Sequence, residues 1–267
     1  MSDIKRILLC PPKFYNIRYE INPWMHIENQ VFQNKAEAIY QELKSLYQKL
    51  GAQIFEIEPQ PDLPDLVYTA NCGEVCGDVF IKANFKFPER RRETIVTEEY
   101  FTKNFNFKPF SLPDNIFFEG QGDLLHTSKN YFLGWGKRTM PEAKNYLQQV
   151  LNKPIIDLEL VDSYYYHLDT CFAPLSDTAV VINPSSFTEK GLAVIHDCFP
   201  EVIEPTAADH MVLACNLVKI NNHIVIAKGI SDHLRAQFEQ KNLIIHEIDT
   251  AEFRKGGGSI KCLSFEF

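Results

Sequence analysis

The feature that most constrains this chain is a recurrence of about 48 residues. Polar residues within short strand-like segments stand at Asn22, Asn71, Glu119, His167, Asn216 and Cys262, with separations of 49, 48, 48, 49 and 46. A period of that length marks stacked supersecondary units, none of which can close its own core. Several units read as hairpins of apolar runs bounded by turn residues. Residues 66–69 are followed by 78–83, 123–126 by 131–135, and 216–220 by 223–227 across Asn221-Asn222. Most hairpins lead into a helical pattern and then a further strand, as at 243–248. Five intervals fit a ring of five such units, with Cys262 returning beside Asn22. By periodicity alone, an unsymmetrical α/β sheet stays open.

The helices carry their own signals. Over residues 30–50, Phe32, Ala36, Ile39, Leu43, Leu46 and Leu50 share one face, and Gly51 can end the helix. Residues 93–105 form a second. Thr139-Met140-Pro141-Glu142 starts a third with a capping-box pattern, and Ser231 can cap a fourth that runs to about residue 242.

With 267 residues, 45% hydrophobic and 23% charged, the chain can bury a sizeable core and is expected to form a single domain over 1–267. Its net charge of -8 repels polyanions, so nucleic acid is a poor partner, whereas a small cation is mildly favoured. Cys10, Cys72, Cys76, Cys171, Cys198, Cys215 and Cys262 are odd in number and widely spaced, which reads as free thiols in a reducing cytoplasm. The opening residues 1–6 lead into four apolar residues before Pro11-Pro12, too few for a signal core, and no run is long enough for a membrane span.

Residues able to carry chemistry cluster in four places. Gly256-Gly257-Gly258-Ser259-Ile260-Lys261-Cys262 allows a tight turn and close approach of a ligand. It is not a phosphate loop, because it lacks the Gly-Lys-Ser/Thr ending. Cys262 taken alone reads first as a buried thiol before a final strand, with a nucleophile as the alternative. His167-Leu168-Asp169-Thr170 would place His167 and Asp169 on one face of a strand, a histidine beside a carboxylate that can move protons near neutrality. Glu119-Gly120-Gln121-Gly122-Asp123 sets two carboxylates among glycines. Arg90 and Arg138 could each grip a carboxylate with a planar fork, or sit solvated at a helix start. Cys72 and Cys76 lack the further ligands that zinc would need, so no metal or cofactor is expected.

Together with Cys10-Pro11-Pro12-Lys13, Glu20-Ile21-Asn22-Pro23-Trp24-Met25, Asp65-Leu66-Val67-Tyr68-Thr69-Ala70-Asn71 and Phe87-Pro88-Glu89-Arg90, these segments resemble the guanidino-group-modifying superfamily. That superfamily includes arginine deiminases, dimethylarginine dimethylaminohydrolases, amidinotransferases and arginine dihydrolases. The matching stretches are in order and span nearly the whole chain. The resemblance implies a five-bladed α/β propeller of ββαβ units. It implies Cys262 as nucleophile and His167 as acid/base, with Glu119 and Asp169 as the carboxylates that hold the guanidinium. Asn22, Asp65, Asn71, Asp123 and Asp169 would bind substrate, and Arg90 and Arg138 its carboxylate. The expected partner is a small guanidino substrate, besides further copies of the chain in a homo-oligomer.

One departure is informative. Deiminases carry an aspartate at the position matching Asn71. The amide, with Asn22-Pro23-Trp24-Met25, looks most like arginine dihydrolases, which take arginine to ornithine, ammonia and carbon dioxide. Those enzymes are longer and carry a C-terminal domain. A dimethylaminohydrolase, a deiminase producing citrulline and a non-catalytic arginine-binding propeller remain the alternatives.

Overall fold

A computed structural model describes residues 4–267. Residues 1–3, part of the opening segment read as too short for a leader, lie outside the described residues. The chain divides into two compact units. One combines the chain up to Thr69 with Pro205–Phe267, and the other is Ala70–Glu204.

The first unit begins with β1 (Arg6–Leu9), α1 (Gln33–Lys49) and β2 (Gln53–Glu56). β1 and β2 run parallel, Arg6 opposite Gln53 and Leu9 opposite Glu56. The buried stripe of α1 is Ala36, Tyr40, Leu43 and Tyr47, with Ile39, Leu46 and Leu50 at its margin. The stripe is rotated from the expected face because two tyrosines go inside. A tyrosine can be buried when its hydroxyl finds a partner. Tyr47 meets Ser264 Oγ at 2.8 Å, and Tyr40 meets Glu56. Phe32, expected on the buried face, is 62% exposed, with the Lys35 and Lys255 ammonium groups over its ring. Gly51, at φ +86°, ends the helix as expected.

The second unit repeats one pattern three times. β3 (Gly73–Cys76) and β4 (Val79–Lys82) form a hairpin, α2 (Arg91–Phe105) crosses over, and β5 (Lys108–Phe110) returns parallel to β4. β6 (Leu124–His126), β7 (Tyr131–Trp135), α3 (Ala143–Leu147) and β8 (Ile155–Glu159) repeat it. So do β9 (Phe172–Pro174), β10 (Ala179–Ile182), α4 (Glu189–Cys198) and β11 (Glu201–Ile203). The middle strands are buried almost throughout, as the apolar runs require.

Back in the first unit, α5 (Ala207–Met211) precedes β12 (Val218–Ile220), β13 (His223–Ala227), α6 (Asp232–Gln240) and β14 (Ile244–Ile248), the same arrangement again. Ser231 caps α6 by accepting from Leu234 N, a bond of the kind worth ~1 kcal/mol. After α7 (Ala251–Arg254), β15 (Phe265–Glu266) pairs antiparallel with β1. The chain's last strand thus supplies the missing hairpin partner for β1, α1 and β2. The fold is mixed α/β, with five sheets of three strands among the described residues. A cluster around Ile7, Leu43, Val225 and Phe253 fills the first unit, and one around Phe118, Leu133 and Leu147 lies in the second.

Two local readings are corrected. Residues 66–69 are not a strand but parts of two 3-10 turns, Pro64–Val67 and Thr69–Cys72. The Thr139 capping box does not form. Thr139 Oγ1 accepts from Glu119 N and donates to Asp123, and α3 starts with no side-chain cap. Among the described residues no helix is long and apolar enough to cross a membrane.

Candidate active site

The recurrent polar residues share one place in the pattern. Asn71, Glu119, His167, Asn216 and Cys262 each stand in the turn just before the first strand of a sheet: β3, β6, β9, β12 and β15 respectively. Asn22 does not, since it lies between β1 and α1. The period therefore has five equivalent positions, and Asn22 matched by spacing alone. Nor is His167 on a strand with Asp169. It is extended, at φ -116° and ψ 150°, and heads the 3-10 turn Leu168–Thr170. Glu119 heads Gly120–Gly122 in the same way. The turn breaks the two-residue alternation that the strand reading required.

In the second unit these turns build a buried polar cluster. His167 Nε2 is 2.7 Å from Glu119 Oε2, and Arg138 Nη1 donates to the same oxygen at 3.0 Å. Lys86 N donates to Glu119 Oε1 at 3.2 Å. Burial works to raise the Glu119 carboxyl, but Arg138, the bond to His167 and the more distant Arg90 outweigh it and hold the group well below the usual carboxylate range. The Arg138 guanidinium lies between the rings of Phe87 and Tyr166, 4.6 Å from each centroid. Asp123 accepts from Thr139 Oγ1 at 2.7 Å and from Leu168 N at 3.0 Å, tying the Glu119 turn to the His167 turn. Burial pushes its carboxyl up to about 6 against those bonds. Asp169 is fully buried within the same turn as Leu168.

Asn71 belongs to this cluster. Arg90 Nη1 donates to Asn71 Oδ1 at 2.9 Å. Arg90 is itself bidentate to Glu93, Nε to Oε1 at 2.9 Å and Nη2 to Oε2 at 2.7 Å. The Arg90 fork thus meets an internal carboxylate. Arg138 likewise has Glu119. Asn71 Nδ2 and His167 Nδ1 are buried and have no hydrogen-bond partner among the described residues. Both flank Gly122: a Cβ there would fall on Asn71 Nδ2 and lie 3.2 Å from His167 Nδ1. Gly120, at φ +59°, lets its turn touch Asn71 O and the Gly73 backbone.

In the first unit, Cys262 is 2% exposed and its loop is braced from three sides. Asn216 Oδ1 accepts from Ser259 N and Cys262 N, both at 3.1 Å, and its Nδ2 donates to Cys262 Sγ at 3.2 Å. Thr69 Oγ1 donates to Leu263 O at 3.0 Å. Tyr68 covers the glycine run, since a Cβ on Gly256 or Gly258 would collide with its ring or hydroxyl. Gly256 and Gly258 thus make room for Tyr68. Asn22 Nδ2 donates to Gly256 O at 3.0 Å, and Tyr19 OH donates to Asp65 Oδ2 at 3.0 Å.

The first unit thus holds Cys262, Asn22 and Asp65. The second brings together Glu119, His167, Asp123, Arg138, Asn71 and Arg90, with Asp169 in the His167 turn. Glu93, Thr139 and Asn216 were not assigned to the site from sequence. Glu93 lies three residues after Arg90, a helix spacing that pairs charges. Asn216 was marked only by its period.

Chemically, a histidine on an ionised carboxylate is a proton carrier, and a thiol held by an amide donor is a candidate nucleophile. A family model described as N,N dimethylarginine dimethylhydrolase, eukaryotic, matches residues 19–267. The dimethylarginine dimethylaminohydrolase of Mycobacterium tuberculosis is 35% identical over 98% of this chain and 85% of its own length. The bifunctional arginine dihydrolase/ornithine cyclodeaminase ArgZ of Synechocystis is 33% identical over 99% of this chain, which spans only 38% of that protein. The N-terminal domain of ArgZ, as a cysteine-to-serine variant bound to substrate, superposes with a TM-score of 0.94 at 31% identity, covering 98% of this chain and 97% of that one. The chain therefore belongs to the dimethylarginine dimethylaminohydrolase family of guanidino-group-modifying enzymes.

Proposed function

We propose that this chain is an arginine dihydrolase, an amidinohydrolase that cleaves C–N bonds of the guanidino group of free L-arginine and yields ornithine, two ammonia and carbon dioxide. The observation that carries the choice is the fixed amide of Asn71. Arg90 holds its oxygen, so the NH2 end is the one presented beside His167. An N–H donor suits the oxygen of a ureido intermediate, which a carboxylate would repel.

In this reading residues 1–267 act as one catalytic domain, with the five sheets as blades of a propeller. Cys262 and His167 serve the same substrate carbon. The Cys262 thiolate adds to the guanidinium carbon, and one C–N bond breaks as His167 gives its proton to the departing ammonia. His167 then takes a proton from water. The hydroxide adds to the same carbon, the C–S bond breaks and citrulline forms. A second round on the ureido carbon releases the other ammonia and, from the resulting carbamate, ornithine and carbon dioxide. Glu119 holds the His167 ring in place through Nε2. Asp65, Asp123, Asp169 and Asn22 are assigned to holding the substrate or the loops that hold it. Arg90 and Arg138 are assigned to keeping Glu119 ionised and Asn71 oriented. The cyclodeaminase activity named for the longer relative is not part of the proposal.

A second reading, dimethylarginine hydrolysis to citrulline and dimethylamine, is favoured by the family model and the mycobacterial relative. Incubation with arginine, citrulline and methylated arginines, followed by product analysis, separates the two. Ornithine with two equivalents of ammonia from arginine supports dihydrolysis. Dimethylamine release with arginine ignored supports the second reading, and stoichiometric citrulline from arginine identifies a deiminase.

A further inference from the structure

The turn before β12 holds the one member of the five-fold set that the catalytic scheme leaves unused, Asn216. It is fully buried, and its carboxamide spends both ends on the Cys262 loop. Oδ1 accepts two backbone N–H groups, from Ser259 and Cys262. An amide oxygen so engaged fixes which end is which, since the NH2 end could accept neither donor. The end facing Cys262 Sγ is therefore N–H, at 3.2 Å. The Asn216 main chain joins in, with its carbonyl accepting from Lys261 N at 3.3 Å.

We propose that Asn216 is a positioning residue for the nucleophile: its oxygen sets the loop that carries Cys262, and its NH2 group donates to the sulfur and favours the thiolate. A hydrogen bond to the charged form of a group lowers the pKa of an acid. One asparagine thus couples the loop conformation to the reactivity of the thiol, and a loop displacement would cost both. The assignment rests on Cys262 being the nucleophile of the proposed reaction, but its test does not depend on turnover.

The test is the pH dependence of iodoacetamide alkylation at Cys262, read on its own peptide by mass spectrometry, in the native chain and in Asn216→Asp. The carboxylate can still accept from both backbone N–H groups but offers the sulfur no donor. A charge-assisted bond of this kind corresponds to about one to two pH units. The inflection should move up by that amount, with an unchanged melting temperature. In the same variant kcat should fall about tenfold or more, with KM little changed. An unmoved inflection in folded Asn216→Asp overturns the proposal. If that variant does not fold, the native chain decides. In protein labelled with 15N-asparagine, one side-chain amide should titrate with the alkylation inflection and cease to titrate in Cys262→Ser. No such amide means no such bond. Full turnover by Cys262→Ser would instead remove the catalytic reading while leaving the alkylation result standing.

Discussion

Arg90 Nη1 donates to Asn71 Oδ1 at 2.9 Å, and that bond decides which end of the Asn71 amide remains for other work. Asn71→Asp should fold, because a carboxylate can take the same bond and gain an ion pair. It cannot donate, however. The variant should still complete the first hydrolysis and release citrulline in place of ornithine, as followed by amino-acid analysis of timed reactions with arginine. An unchanged ornithine yield would remove Asn71 from the second step.

Gly122 separates Asn71 Nδ2 from His167 Nδ1 with no room for a methyl group. Gly122→Ala should push one or both away from their present positions. A misplacement of about 1 Å can cost on the order of 100-fold in rate. We expect kcat to drop at least tenfold with the fold retained by circular dichroism. Activity within twofold of native would show that neither side chain needs its present place.

Arg138 opposes the burial of Glu119. Removing one partner of a buried pair typically costs ~3–5 kcal/mol, so Arg138→Met should lose stability of that order in urea unfolding. It should also change the pH profile. In the native chain Glu119 is held low, so it stays ionised well into acid. Without Arg138 its pKa rises, and the acidic limb of kcat/KM should move to higher pH. A limb that stays in place would mean that the arginine does not govern the charge on Glu119.

Asp123 titrates in the opposite sense. Its folded pKa, about 6, lies above the ordinary 3.8, so the folded state binds the proton more tightly. That contribution is present below about pH 4 and is lost as the pH rises through about 6. Relative to Asp123→Asn, the native chain should lose up to ~3 kcal/mol across that interval. Parallel stability profiles for the two proteins would show that its bonds from Thr139 and Leu168 offset its burial.

The repeat was legible because hairpins declare themselves locally, through apolar runs and turn residues such as Asn221-Asn222. What failed depended on partners distant in sequence. Thr139 looks like a helix cap but is taken by Glu119 and Asp123. Tyr40 and Tyr47 look amphipathic, yet go inside because Glu56 and Ser264 await their hydroxyls. The 66–69 segment has the composition of a strand, but folds as buried turns. At the site, His167, Glu119 and Cys262 could be selected by residue type. The bond from Arg90 to Asn71 could not, because the two residues are distant in sequence and no local pattern links them.

The central claim is that Cys262 forms a covalent bond to the guanidino carbon. It is tested most directly by acid-quenching His167→Ala after exposure to arginine and, separately, to asymmetric dimethylarginine, then weighing the peptide that contains Cys262. Loss of ammonia from one substrate, or of dimethylamine from the other, leaves the same thiouronium adduct, since the departing amine is the only difference between them. The account predicts a gain equal to arginine less ammonia, on Cys262, from at least one of these substrates. An adduct on another cysteine, or a native enzyme that turns over while Cys262 in the variant never gains mass from either substrate, would contradict it.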